Sequence, residues 1–215
     1  MMKTLLGEYD AGKARAVQWD TLHENNAIKK YEEQYGVTVA ASGLRLHSRG
    51  FCGASPDGIV SDSIIIEAKC PFSIRDENVI EHIGEKSFLK FCNECDARDG
   101  YGEEGEVILN QKNQQGNAYY HQIQGNLWLT GRLLCDLVVW TPTSTLIVTV
   151  KRDDQYELKY LPVLEQFYAV FHPDVHWPSQ CPVTTSLQLF NESTQLKPAG
   201  TVINFLVVTI SPRFF

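Results

Sequence analysis

With 215 residues, 43% of them hydrophobic and 21% charged, the chain has globular composition, enough for one good core and an appendage. No window reaches the roughly 18 to 20 apolar residues of a membrane span, and the N-terminus MMKTLLGEYDAGK is too weakly apolar for a secretory signal, so an intracellular protein of cytoplasm or nucleus is expected. The net charge of −7 argues against a broadly basic nucleic-acid surface. The excess acid sits mostly in residues 71–116, which hold 5 Lys+Arg against 10 Asp+Glu, around the run DARDGYGEEGE.

Residues 13–35 read as a helix, with Ala16, Trp19, Leu22, Ala27, Ile28 and Tyr31 recurring at three- and four-residue steps and Gly36 as the stop. Short strands follow around 37–47, 51–54, 57–61 and 63–69, with turns at 48–50 and 61–63, and predict an antiparallel meander. Residues 73–93 read as interrupted helix, and 96–116 as a polar, glycine-rich acidic loop insertion. A second main helix is expected over 117–131, capped by Asn117 and ended by Gly131. Two apolar strands, 133–141 and 144–151, precede a helix over 154–172 that ends near Pro173. The division expected is a domain over 1–175 and a C-terminal extension over 176–215, whose run VINFLVVTI at 202–210 suits an added strand or an aggregating edge. The fold class is α/β, a mixed central sheet flanked by helices.

Six cysteines are present, and Cys92 and Cys95 have the spacing of half a zinc site. No second Cys/His pair completes it, so reduced thiols are expected.

The chemistry concentrates in residues 53–73, GASPDGIVSDSIIIEAKCPFS. Glu67 and Lys69 are two apart on a strand that Ile64, Ile65 and Ile66 mark as interior, so they share a face. Asp57 opens the neighbouring strand between Pro56 and Gly58, and pairing of the two strands brings Asp57, Glu67 and Lys69 to one end of the sheet. Two carboxylates and a backbone carbonyl suit Mg²⁺ or Mn²⁺, and such ions support phosphodiester hydrolysis. The competing reading is a buried Glu67–Lys69 ion pair that only holds the sheet.

Ser55-Pro56-Asp57-Gly58 followed by Ile66-Glu67-Ala68-Lys69-Cys70-Pro71-Phe72 resembles the lambda-exonuclease or YqaJ-type viral recombinase family, a branch of the restriction-endonuclease-like nucleases. His23-Glu24-Asn25-Asn26-Ala27 with Tyr31-Glu32, and Tyr120-His121-Gln122-Ile123-Gln124, match two further family motifs in order. Over about residues 16–172 the resemblance implies a restriction-endonuclease-like core and a deoxyribonuclease with two metal ions. Asp57, Glu67 and the Ala68 carbonyl would hold one ion, and Asp57 with Glu24 a second. Lys69 and Gln122 would position the attacking water. Arg75, just past the strand, is a candidate phosphate contact, as are Arg45 and Arg49. The resemblance further implies DNA as substrate, a trimeric ring and a single-strand annealing partner. The family's earlier arginine-containing segment has no counterpart here, and Trp19-Asp20 stands where the family often has Trp-Gly. Those departures bear on 5′-end selectivity and processivity more than on metal chemistry. The expected enzyme is a Mg²⁺-dependent exodeoxyribonuclease acting on double-stranded ends in recombination or repair. A structure-selective endonuclease and a weakly catalytic DNA-binding module are the alternatives.

Overall fold

The computed structural model describes residues 14–171 except 51, 99 and 101. Helix α1 (Arg15–Tyr35) buries Ala27 and Tyr31 and ends at Gly36, whose φ of 65° is a left-handed conformation that glycine adopts without strain. Strands β1 (Arg45–Leu46) and β2 (Gly53–Ala54) form a two-stranded antiparallel hairpin of their own. The central sheet has four strands in the order β3 (Gly58–Ile59), β4 (Ile64–Lys69), β7 (Leu134–Trp140) and β8 (Thr145–Lys151). β4 and β7 run parallel, and the two outer pairs are antiparallel.

The single meander expected over 37–69 is therefore corrected. Among the described residues the segment before β3 shares only an isolated backbone bridge, Ala40 with Ile59, with the main sheet. The β1–β2 hairpin instead packs on helix α3 (Gln114–Thr130), where the His47 and Trp128 ring centroids lie 5.3 Å apart. Residues 73–93 are not interrupted helix: two 3-10 turns, Phe72–Ile74 and Val79–His82, lead into strand β5 (Leu89–Phe91). Nor is 96–116 a plain loop. It carries the end of helix α2 (Glu94–Arg98) and strand β6 (Val107–Leu109), which pairs with β5. The apolar triplet Val107-Ile108-Leu109 drives this, because burying Ile108, Leu109 and Leu89 together outweighs the polarity of the flanks. The buried Lys90–Asp96 ion pair ties α2 to β5.

Helix α3 begins three residues earlier than its apolar pattern suggests, because Asn113 rather than Asn117 caps it, accepting from the Gln115 and Gly116 amides. It stops at Gly131, where φ is 70°. Helix α4 (Tyr156–Phe171) closes the described part. The expected helix end at 172, the division at 175 and the strand at 202–210 lie outside the described residues.

Alternation along β4 splits the core into two layers. Ile66, Ala68 and Cys70 pack with Ala27 and Tyr31 of α1 and Val138 of β7. Ile65 packs with Tyr119, Ile123 and Leu127 of α3 and with Leu137 and Val139 of β7. Glu67 and Lys69 follow Ile65 in the alternation and so fall on the α3 face of the sheet. Cys52, Cys70, Cys92 and Cys135 are buried free thiols. Among the described residues no helix is long and apolar enough to cross a membrane.

Candidate active site

The site forms where β4 loses a strand neighbour. The Val60 amide donates to the Ile64 carbonyl at 3.0 Å, which sets Gly58 and Ile66 as the next hydrogen-bonding pair. Continuing that register would set Pro56 against Ala68, but proline has no N–H to donate. Pairing stops, and carboxylates take over the β4 edge. Asp57 Oδ2 accepts from the Ala68 amide at 2.7 Å, and Asp20 Oδ1 accepts from the Cys70 amide at 2.6 Å. The N–H and C=O of one strand residue point to the same edge, so the Ala68 carbonyl shares the Asp57 edge.

On the α3 face, Glu67 is 1% exposed and Lys69 5% exposed. Such burial costs several kcal/mol per ion unless partners replace the lost water. Glu67 Oε1 accepts from Lys69 Nζ at 2.6 Å and from Gln122 Nε2 at 2.5 Å, and Oε2 accepts from Asn126 Nδ2 at 2.9 Å. The two carboxamides lie one turn apart on α3, which is why both reach the same carboxylate. Lys69 Nζ also sits 5.4 Å from the centroid of the Tyr119 ring.

Burial raises the Glu67 pKa, Asp57 adds to the rise, and the Lys69 ammonium opposes it. At Lys69 burial pulls the pKa down, but Glu67, Asp57 and Asp20 outweigh it and the net shift is upward. The geometry favours an ionised pair, because all three of its neighbours offer N–H groups to the carboxylate.

The structure brings Asp57, Glu67, Lys69, Ala68 and Gln122 together at the C-terminal end of β4. Glu24 follows Asp20 by one turn of α1, and its charge acts on Cys70. Burial and then Asp20 push the Cys70 thiol up to about 12, with Glu24 and Asp57 adding to the rise and Lys69 opposing it. Arg75 lies just past the strand, its guanidinium 4.3 Å from the Phe72 ring centroid, bonded to the Phe72 carbonyl at 3.0 Å and paired with Asp76 at 3.2 Å. Arg45 and Arg49 lie elsewhere, on the β1 strand and the turn after it, with Arg49 paired to Glu165 of α4. Two residues of the cluster went unread in the sequence. Asn126 lies four residues after Gln122, and Asp20 four before Glu24, so helical spacing sets each on the same side of its helix as a recognised motif residue without naming its partner.

Hard-cation chemistry fits this set. Its donors are carboxylate and carbonyl oxygens. Gln122 Oε1 is buried and, among the described residues, accepts no hydrogen bond. Among the described residues no three His, Cys, Asp or Glu side chains form a metal cage.

An alkaline exonuclease (LHK-Exo) from Laribacter hongkongensis is similar to this structure, with a TM-score of 0.53 and 23% identity over 80% of this chain and 76% of that one. Its complex with dAMP gives a TM-score of 0.50, with 23% identity over 80% and 79% of the two chains. A phage related exonuclease from Haemophilus somnus 129PT gives 0.51, with 20% identity over 80% of this chain and 79% of that one. These likenesses show a shared fold. No curated protein matches the sequence. Residues 2–133, more than half of the chain, match the YqaJ-like viral recombinase domain, and the chain belongs to that family.

Proposed function

We propose that the protein is a metal-dependent deoxyribonuclease, an exonuclease that hydrolyses phosphodiester bonds at double-stranded DNA ends in recombination or repair. The observation that carries this reading is the meeting of Asp57, Glu67, Lys69 and Gln122 where β4 has lost its strand neighbour. The likeness to an alkaline exonuclease and a phage related exonuclease supports it.

On this reading Asp57, Glu67 and the Ala68 carbonyl hold one Mg²⁺ or Mn²⁺, and Glu24 with Asp57 helps hold a second. Ions bound there supply charge neutralisation at the scissile phosphate and a more acidic attacking water. The protein does the rest. Asp57 is fixed by the Ala68 amide, so its carboxylate is set before substrate arrives. Asn126 and Gln122 hold the Glu67 carboxylate from both oxygens. Lys69 keeps its proton and orients the attacking water, with Gln122 Oε1 as acceptor on the other side. Arg75 supplies a phosphate contact near the end of the strand. The same reading extends to a DNA-encircling trimer and a single-strand annealing partner, the first of which mass photometry with and without duplex DNA would test.

The deciding experiment incubates the purified protein with end-labelled linear duplex and closed circular DNA in Mg²⁺, Mn²⁺ or EDTA. Loss of linear DNA alone, abolished by EDTA, is the expected result. Nicking of circles makes it an endonuclease, and binding without cutting makes it a DNA-binding module.

A further inference from the structure

Past Ala68, the Cys70 amide on the β4 edge is met by a helix rather than a strand: Asp20 Oδ1 of α1 accepts it at 2.6 Å. Two neighbouring contacts hold the same turn of α1. Trp19 meets Phe72 at 6.0 Å and His23 stacks on Trp140 at 5.3 Å, while Trp19 and His23, both on α1, lie 3.9 Å apart, all between ring centroids. The aromatic contacts set how the helix lies on the sheet. The hydrogen bond fixes its rise along the strand, because a carboxylate-to-amide bond tolerates little sliding. One turn beyond Asp20, on the same side of the helix, is Glu24.

We propose that Asp20 is a positioning residue, whose carboxylate locks the turn of α1 carrying Glu24 against the end of β4 carrying Glu67 and Lys69. This rests on the metal-site reading above. Asp20 acts through Glu24 and the β4 backbone and need not touch metal or DNA. Its bond to Cys70 follows Lys69 directly in the chain, so losing it frees both the helix turn and the strand end that carry the site's groups.

The test compares the 215-residue wild type with Asp20→Asn and Asp20→Ala, with melting curves for each. Hydrogen exchange at the Cys70 amide is read in metal-free protein, and Mn²⁺ affinity is read by calorimetry. Asn keeps an acceptor oxygen in place and Ala removes it. Asp20→Ala is expected to speed Cys70 exchange by at least about tenfold, the range of a lost charge-assisted bond. It is expected to weaken Mn²⁺ binding by about tenfold or more, as removal of outer-shell support does. Asp20→Asn is expected to keep Cys70 protection and to restore most of the Mn²⁺ affinity. Unchanged Cys70 exchange in Asp20→Ala overturns the proposal. So does an Asn variant as weak for Mn²⁺ as the Ala variant, which would make Asp20 a direct ligand. If the wild type binds no Mn²⁺, the metal-site reading fails and takes the link to Glu24 with it, whereas altered Cys70 exchange would still establish the α1–β4 bond.

Discussion

Lys69→Ala isolates the electrostatics of the site from its chemistry. The substitution leaves Glu67 at 1% exposure with Gln122 and Asn126 as its remaining donors. Breaking a buried ion pair by removing one partner costs about 3–5 kcal/mol, and the two surviving carboxamide bonds put this case at the lower end, about 3 kcal/mol. For a domain of this size that is a drop in Tm of roughly 6–12 °C. The loss has a definite pH dependence. Burial and Asp57 both raise the Glu67 pKa, and Lys69 is the group that opposes them. In the variant the folded state therefore holds a proton that the unfolded chain releases near its ordinary pKa of about 4.3. Where the folded state binds more protons, stability falls as pH rises, so the deficit is small near pH 5 and grows toward pH 8 by about the values above. Thermal melts of wild type, Lys69→Ala and Glu67→Gln/Lys69→Ala across that range read it directly. The double variant should recover most of the stability at the alkaline end, because a neutral Gln replaces the stranded carboxylate. If Lys69→Ala melts within about 2 °C of wild type at pH 8, or its deficit shrinks as pH rises, the pair is not desolvated as described. In parallel, hydrolysis under saturating Mg²⁺ should fall by about 10²–10⁴.

Other substitutions probe separate parts of the structure. Asp57→Asn keeps an acceptor for the Ala68 amide but loses the charge, so calorimetry should show at least about tenfold weaker Mn²⁺ binding with little change in melting. Gly116→Ala would gain up to about 1 kcal/mol on an exposed helix, but here the new Cβ would meet the Asn110 carbonyl oxygen at 2.3 Å. A net loss of about 1–3 kcal/mol in urea denaturation is expected. Tyr31→Phe removes the 2.6 Å bond from the tyrosine hydroxyl to the buried Asp136 carboxylate, whose other side-chain partner among the described residues is the Thr149 hydroxyl. That variant should lose about 1–3 kcal/mol without changing the Mn²⁺ affinity.

The main frame is legible in the sequence because its signals are local. The Ile64-Ile65-Ile66 run marks an interior strand, Gly36 and Gly131 mark helix ends, and Pro56 marks the point where strand pairing must stop. The β5–β6 pair is hidden because each strand is short and its stability comes from a partner across the intervening α2 segment. Asn113 and Asn117 are both plausible caps by residue type, and only the path of the chain out of β6 selects the first. At the site, alternation along β4 forecasts that Glu67 and Lys69 share a face. It does not forecast what completes their shell. Asn126 and Asp20 come from helices whose rotation depends on packing against the sheet, so their side chains acquire partners only once α3 and α1 are seated.

The proposed nuclease requires a divalent cation where Asp57, Glu67 and the Ala68 carbonyl meet. Anomalous diffraction from crystals soaked in Mn²⁺ locates that ion without reference to activity. The expected result is a peak in contact with both carboxylates and the Ala68 oxygen, lost in Glu67→Gln. A peak confined to other residues, or Mn²⁺ absent while Lys69 and Glu67 stay bonded at millimolar metal, would contradict it.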